Sequence, residues 1–132
     1  MLKVLIADDH DIVRQGVKYI LVDGFSAIHV EEAVDGHMLT EKALSGHWDI
    51  IISDLAMPEC GGLEALKNIR KHKPGIPFMI LSMHADEEYV LTAMKAGANG
   101  YLSKESAPDM LVTAVREILD GRKFMNGRPV EP

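Results

Sequence analysis

The sequence predicts an α/β fold: a single parallel sheet wound on both faces, in which five strands alternate with five helices. Two observations predict it. Short, continuous apolar runs of the buried-strand type, such as residues 4–7 and 50–52, alternate with stretches whose apolar residues recur at helical spacing. Parallel neighbours also need crossover connections, which are right-handed, and the intervening helices would supply them.

The first half of the chain gives three strands and two helices. Residues 2–7 form the first predicted strand. The helix that follows is indicated by an apolar stripe at helical spacing: Ile12, Val13, Gly16, Val17, Ile20 and Leu21. A second strand, a short helix and a third strand are then predicted at residues 27–33, 36–45 and 49–54.

The second half repeats the pattern. A turn-prone segment, residues 57–62, leads into a third helix that ends before Pro74, because proline cannot continue a helix. The next strand, helix and strand are predicted at residues 77–82, 86–96 and 98–103. Pro108 suits the first turn of the last helix, which stops at Gly121. Its apolar stripe is the clearest of all: Met110, Leu111, Ala114, Val115, Ile118 and Leu119.

We expect one domain over residues 1–121 of the 132-residue chain, since this length suits a single core. Residues 122–132 are rich in Arg, Lys, Gly and Pro, and they hold only two large apolar residues, Phe124 and Met125. This composition predicts a linker, and such a linker often leads to a further domain.

Composition excludes several classes of protein. A net charge of −6 and a pI near 5.4 oppose non-specific binding to nucleic acid by this segment. The single cysteine, Cys60, excludes an intrachain disulfide. Because the sequence shows no signal peptide and no apolar stretch near the ~20 residues that span a bilayer, we expect a cytoplasmic protein without a membrane partner.

Three carboxylates follow predicted strands: Asp8 and Asp9 after the first, and Asp54 after the third. Carboxyl ends of parallel strands share one edge of the sheet, so these acids should converge. Two carboxylates about 4 Å apart repel by roughly 4 kcal/mol at an effective dielectric constant near 20, which calls for a counterion. An all-oxygen site suits Mg²⁺. Capping of helices is the alternative for Asp9, but it does not explain Asp54.

Two further strand ends carry polar side chains: Ser82 after the fourth strand and Lys104 after the fifth. A lysine can pair with a phosphoryl group, a hydroxyl can donate to it, and a carboxylate such as Asp54 can act as the nucleophile that forms an aspartyl phosphate. Phosphoryl transfer depends mainly on alignment and charge neutralisation. Taken singly, Ser82 fits a turn and Lys104 a solvated surface charge; together with the acids they predict phosphoryl chemistry.

These motifs together resemble the receiver domain of two-component response regulators. The matching strings are Ala7-Asp8-Asp9-His10, Ser53-Asp54-Leu55-Ala56-Met57-Pro58, Leu81-Ser82 and Tyr101-Leu102-Ser103-Lys104. The resemblance covers about residues 1–121, and the strings around Asp-Asp-His and Lys-Glu-Ser-Ala are similar to the NarL/LuxR-type subgroup. It implies a flavodoxin-like (CheY-like) sheet of five strands in the order 2-1-3-4-5.

The resemblance also implies the roles of the site residues. Asp54 would accept phosphate from a sensor histidine kinase. Mg²⁺ would be held by Asp9, Asp54 and the backbone carbonyl of Ala56, with Asp8 acting mainly through water. Ser82 and Lys104 would then contact the phosphoryl oxygens.

Tyr101 would change rotamer on activation, as the surface formed by the fourth helix, the fifth strand and the fifth helix shifts. The resemblance further implies a homodimer after phosphorylation, control of transcription, and contact with DNA only through a helix-turn-helix domain beyond the linker. Such a domain promotes its own phosphorylation and dephosphorylation and has no separate turnover substrate, so it is not expected to be an enzyme.

Three positions depart from the family pattern. Ala56 stands where a polar residue is frequent, and Glu59 where glycine is frequent. Glu105 replaces a proline that follows a cis bond, and a cis bond before another residue costs about 2.5–4 kcal/mol, so the isomer stays open. Because of Ala56 and Glu59, a receiver-like interaction module that is not phosphorylated remains the alternative.

Two other functions fit less well. An aspartate-nucleophile phosphatase would need a second acid two residues after Asp54, and Ala56 stands there. The six histidines lack the close paired spacing of zinc motifs, so we expect no zinc site.

Overall fold

The computed structural model describes residues 1–84, 86–125 and 128–130. Within them, the strands are β1 Leu2–Ala7, β2 Ile28–Ala33, β3 Ile50–Ser53, β4 Phe78–Ser82, β5 Gly100–Ser103, β6 Lys123–Met125 and β7 Arg128–Val130. The helices are α1 Asp11–Gly24, α2 Gly36–Ser45, α3 Gly62–His72, α4 Glu87–Lys95 and α5 Ala107–Leu119, with a short 3-10 helix at Lys104–Ser106. The five predicted strands and helices are therefore present, with ends shifted by at most two residues where bounds were predicted.

The strands form one sheet in the order β2-β1-β3-β4-β5-β6-β7. The pairs from β2 to β6 are parallel, and β6 pairs with β7 in the antiparallel direction. The predicted order 2-1-3-4-5 is present within this sheet. The prediction of five strands was wrong, because β6 and β7 extend the sheet beyond β5.

The added strands come from the segment that the sequence assigned to a linker. Phe124 is fully buried in the core, and its backbone N–H donates to the carbonyl of Asn99 at 3.0 Å. One buried aromatic ring and a free edge on β5 are enough to hold a three-residue strand, which is too short to show periodicity in the sequence. Residues 126, 127, 131 and 132 of the predicted linker lie outside the described residues.

Both faces of the sheet are buried, as the doubly wound fold requires. Alternate residues of β3 show this directly: Ile51 packs on one side, whereas Ile50 and Ile52 pack on the other. The first side is covered by buried residues of α2, α3 and α4, and the second by those of α1 and α5. None of the helices in the described part of the chain is long and apolar enough to cross a membrane.

The pairing register of the strands brings the predicted site residues to the carboxyl-end edge of the sheet. Ala7 of β1 pairs with Ser53 of β3, so the residues that follow them, Asp8 and Asp54, leave the sheet side by side. Ser82 of β4 pairs with Ser103 of β5, immediately before Lys104. The carboxyl ends of four neighbouring strands thus supply the candidate site.

Candidate functional site

Asp8 and Asp54 are buried acids at the centre of this edge. Asp8 is 5% exposed and Asp54 is 7% exposed, which is rare for carboxylates unless they are paired. The sheet fixes their backbones, because Asp54 N–H donates to the carbonyl of Ala7 at 2.9 Å and Asp8 N–H donates to the carbonyl of Ala33 at 3.1 Å. The two side chains are therefore held at fixed positions by the ends of β1, β2 and β3.

Lys104 supplies the positive charge that these acids need. Its Nζ lies 2.7 Å from Oδ2 of Asp8 and 3.1 Å from Oδ2 of Asp54. Burial lowers the pKa of Lys104, but its hydrogen bonds to Asp8 and Asp54 outweigh this and raise the pKa above its ordinary value. Lys104 is therefore a charged ammonium at neutral pH, and one cation bridges both buried carboxylates.

The pKa of Asp54 is also raised above its ordinary value, and here burial is the main cause. Removal from water raises the pKa of Asp54, and the hydrogen bond and charge of Lys104 offset only part of that rise. The nearby carboxylate of Asp8 raises it further. An added cation near Asp54 would favour its ionised form, which is the form that can act as a nucleophile.

Asp9 and His10 complete a cluster that fits a divalent cation. Asp8, Asp9, His10 and Asp54 each offer a ligand atom, and these atoms all lie within 4.8 Å of one another. The three carboxylates are the oxygen donors that Mg²⁺ prefers, so the donor set fits that ion. His10 Nδ1 lies 3.1 Å from Asp8 Oδ1 and 3.2 Å from Asp9 Oδ1. The spacing of the histidines along the sequence did not indicate that His10 would lie beside these acids.

Ser82 and Tyr101 lie on the neighbouring strands. Ser82 is buried at the end of β4, and its hydroxyl oxygen accepts a hydrogen bond from the His84 N–H at 3.0 Å. Tyr101 is buried with its hydroxyl donating to the carbonyl of His84, and burial raises the pKa of that hydroxyl. Both side chains thus bind the segment between β4 and α4.

The segment after Lys104 differs from a cis-proline turn. The Lys104–Glu105 peptide bond is trans, as are the other peptide bonds among the described residues. Here the chain enters the 3-10 helix, and the Ser103 hydroxyl accepts a hydrogen bond from Ser106 N–H at 3.3 Å.

The loop between β3 and α3 passes close to Asp54. Ala56 is exposed in this loop, and Glu59 has a φ of 66°, in the left-handed region that favours glycine. Gly62 packs against the loop, donating to the carbonyl of Leu55 at 2.9 Å. A Cβ atom on Gly62 would clash with the carbonyl oxygen of Asp54.

Sequence reasoning missed Arg14. This residue is 8% exposed, and its guanidinium binds groups of the β1–α1 loop, α1 and β2. The sequence carried a signal, because Arg14 falls on the same helical stripe as the buried Val17 and Leu21. A charged residue on an apolar stripe needs partners inside the fold.

Comparison with known proteins identifies the family. The model of the response regulator receiver domain matches residues 4–116. The response regulator UvrY of Escherichia coli (strain K12) is 34% identical over 125 residues, covering 95% of this chain and 57% of the relative. The oxygen regulatory protein NreC of Staphylococcus epidermidis is 37% identical over 126 residues, covering 95% of this chain and 58% of the relative. The chain therefore spans less than two thirds of the length of these relatives.

Solved structures agree with this assignment. A two-component response regulator of the LuxR family from Aurantimonas sp. SI85-9A1 superimposes with a TM-score of 0.87 at 35% identity, covering 93% of this chain and 88% of that one. The non-phosphorylated receiver domain of the stress response regulator RcsB from Escherichia coli gives a TM-score of 0.84 at 28% identity, covering 93% and 96%. Receiver domains generally bind Mg²⁺ at an acidic pocket, and they are not metabolic enzymes. The chain belongs to the response regulator receiver domain family, in its NarL/LuxR-type subgroup.

Proposed function

We propose that this receiver domain is switched by phosphorylation of Asp54, with a sensor histidine kinase as the phosphoryl donor. The observation that carries the proposal is the bridge made by Lys104 between Asp8 and Asp54, at 2.7 and 3.1 Å. An ammonium group held there can stay beside Asp54 when a phosphoryl group is added, because the same cation that pairs with a carboxylate also pairs with a phosphate oxygen.

The chemistry is a transfer between a nitrogen and an oxygen. An ionised oxygen of Asp54 forms a bond to phosphorus while the bond from phosphorus to the kinase histidine nitrogen breaks, and the imidazole leaves with the electron pair. The product is an acyl phosphate on Asp54. Asp9, Asp54 and the carbonyl of Ala56 would hold Mg²⁺, with Asp8 acting through water. The ion would neutralise the charge on the transferred group.

The added phosphate changes which groups face the site. Ser82 would donate its hydroxyl to a phosphoryl oxygen and Lys104 would pair with another. In the structure, Ser82 Oγ instead accepts from His84 N–H, and Tyr101 donates to the same residue's carbonyl. Movement of Ser82 towards the phosphate would therefore release His84 and allow Tyr101 to change rotamer.

Hydrogen bonds to the phosphoryl group could supply the free energy that such a conformational switch needs. Moving a two-state equilibrium from 1:99 to 99:1 takes about 5.5 kcal/mol of differential interaction. Two or three charge-assisted hydrogen bonds to a phosphoryl group, at roughly 1.5–3 kcal/mol each, approach that sum.

The output is proposed to be transcription, through a helix-turn-helix domain that follows the described residues in the natural protein. The relatives are longer than this chain, and one, from Brevibacillus brevis, is named a transcriptional regulatory protein. A net charge of −6 disfavours direct binding of this segment to DNA. Phosphorylation would instead promote a homodimer that presents two output domains.

Labelling with acetyl phosphate and Mg²⁺ tests the proposal. The wild-type chain should gain one phosphoryl group that alkali and hydroxylamine remove, and Asp54→Asn should gain none. Asp23→Asn is the matched control, since Asp23 is an exposed residue near the far end of α1. Equal labelling of wild type and Asp54→Asn would overturn the assignment of Asp54.

A further inference from the structure

Arg14 joins three parts of the fold beneath the acidic cluster. Its Nη1 donates to the backbone carbonyl of Asp8 at 2.7 Å, and its Nε donates to Oε1 of Glu32 at 3.0 Å. Its Nη2 pairs with Asp11 in the first turn of α1. One guanidinium thus ties the β1–α1 loop to the start of α1 and to the end of β2.

The bond to the Asp8 carbonyl fixes the peptide unit between the two acids. Asp8 N–H is already held by the carbonyl of Ala33 at 3.1 Å, so Arg14 supplies the second backbone anchor of this residue. A rotation of the Asp8–Asp9 peptide would change the backbone angles on which the directions of both carboxylates depend. With both anchors in place, Asp8 can direct one oxygen to Lys104 and the other to His10 N–H, at 2.7 and 2.8 Å.

The charge of Arg14 is already balanced by its own partners. Asp11 and Glu32 pair with the one guanidinium, so this group of three side chains carries a net negative charge. Arg14 therefore adds little positive potential that would compete with a cation. Its effect on the neighbouring site is set by the direction of its hydrogen bonds.

We propose that Arg14 is a positioning residue for the metal-binding loop, and that it acts through the Asp8 carbonyl to set the affinity of the site for Mg²⁺. This inference rests on the proposed function, because it assigns Mg²⁺ to the cluster of Asp8, Asp9 and Asp54. Arginine is required because its planar fork can serve three acceptors in fixed directions, whereas a lysine ammonium is a compact charge that cannot span them.

The test compares Arg14→Lys with wild type by calorimetric titration of Mg²⁺. Loss of a partner that orients a ligand typically weakens metal binding about 10- to 100-fold, and we expect at least the lower value for Arg14→Lys. In acetyl phosphate labelling, the Mg²⁺ concentration for half-maximal rate should rise by a similar factor, while the rate at saturating Mg²⁺ stays close to wild type. A loss confined to the saturated rate would contradict a role in positioning the metal ligands.

Arg70→Lys is the matched control. Arg70 also binds several acceptors inside the fold: Ile76 O, Gly97 O and Asn99 Oδ1, at 2.6, 3.0 and 2.8 Å. These groups precede β4 and β5, at the opposite edge of the sheet. Arg70→Lys should lower thermal stability and leave Mg²⁺ affinity unchanged. If both variants weaken Mg²⁺ binding equally, the effect of Arg14 is general destabilisation and the inference is wrong.

Two substitutions at Glu32 cover the case in which Arg14→Lys does not fold. Glu32 is partly exposed, so both should fold. Both substitutions remove the negative charge of Glu32. Glutamine keeps an oxygen that can accept a hydrogen bond from Arg14 Nε, whereas alanine has none. Glu32→Ala should therefore weaken Mg²⁺ binding more than Glu32→Gln does. Equal effects would show that charge alone matters and would overturn the inference. Absence of Mg²⁺ binding by the wild-type chain would instead overturn the proposed function.

Discussion

Lys104 and Asp54 form an ion pair of 3.1 Å between side chains 50 positions apart in the sequence. The pair depends on the register of β3, β4 and β5, because these strands end at the same edge, where Asp54 follows β3 and Lys104 follows β5. The same ammonium pairs with Asp8 at 2.7 Å, so a single side chain neutralises part of the charge of two buried acids.

Replacing Lys104 with methionine should raise the pKa of Asp54. Burial already raises this pKa, and Lys104 opposes the rise through a hydrogen bond and its charge. Methionine has a similar length without the charge, so Asp54 and Asp8 would face each other unpaired. NMR titration of the Asp54 side-chain carboxyl carbon measures the change. Lys95→Met, at an exposed position of α4, is the control and should not move the midpoint. An unchanged midpoint in Lys104→Met would mean that the ion pair does not form in solution.

Gly62→Ala should destabilise the protein by about 1–3 kcal/mol, the usual cost of overpacking. A Cβ atom at this position would meet the carbonyl oxygen of Asp54 and lie 2.8 Å from the hydroxyl of Ser53. Urea unfolding measures the difference. Gly16→Ala is the control, because Gly16 is in the middle of α1 and nothing lies within 4 Å of the added atom. Alanine there should stabilise the helix by up to about 1 kcal/mol. Equal stability of the two variants would contradict the close approach at Gly62.

Phe124→Ala should cost about 3–5 kcal/mol of unfolding free energy, the range for removal of a buried aromatic side chain. Phe124 is fully buried among residues of α5 and the central strands, although it lies beyond the predicted domain boundary. Lys123→Ala, at an exposed position of the same strand, should change stability by less than about 0.5 kcal/mol. Chemical unfolding of both variants checks this. A near-neutral Phe124→Ala would restore the interpretation of this segment as a linker.

Stability should fall in alkaline solution, in part because of Cys60. Burial raises the pKa of the Cys60 thiol from 9.0 to about 11. Between these values the unfolded chain loses the proton while the folded protein keeps it, so a rise in pH favours unfolding. The contribution reaches at most about 3 kcal/mol, since each pKa unit corresponds to roughly 1.4 kcal/mol. Tyr101 and Lys104 also have raised pKa values and act in the same direction.

Comparison with Cys60→Ala isolates the thiol. Alanine cannot ionise, so the loss of unfolding free energy between about pH 8 and about pH 11 should be smaller in the variant than in wild type. The neutral-pH stabilities need not match, because only the change with pH is compared. A pH dependence identical in both proteins would mean that the buried thiol does not contribute.

Much of the fold could be predicted because β1, β3 and β4 are largely apolar runs that end at or just before a polar residue. The run that ends at Ala7 and the run that ends before Ser53 each place an aspartate at the sheet edge, so the convergence of Asp8 and Asp54 followed from topology alone. The position of Lys104 followed in the same way from the end of β5.

Other features depend on contacts that no local pattern encodes. The strand around Phe124 forms because β5 has an edge to pair with, and three residues carry no period. The apolar stripe of α1 signals that Arg14 is buried, but it does not reveal that the acceptor of Arg14 is the backbone carbonyl of Asp8. Glu59 replaces the glycine that is frequent at this position, and its φ lies in the left-handed region. Glycine adopts this conformation more easily than other residues do.

The central claim is that Asp54 is the phosphoacceptor of a magnesium-dependent site, and mapping the phosphorylated residue tests it most directly. Wild-type protein treated with acetyl phosphate would be reduced with borohydride, which converts an acyl phosphate to an alcohol, and digested for mass spectrometry. We predict that Asp54 is converted in the presence of Mg²⁺ and is unchanged when the ion is chelated. Conversion at another carboxylate, or equal conversion of Asp54 without a divalent cation, would contradict the account.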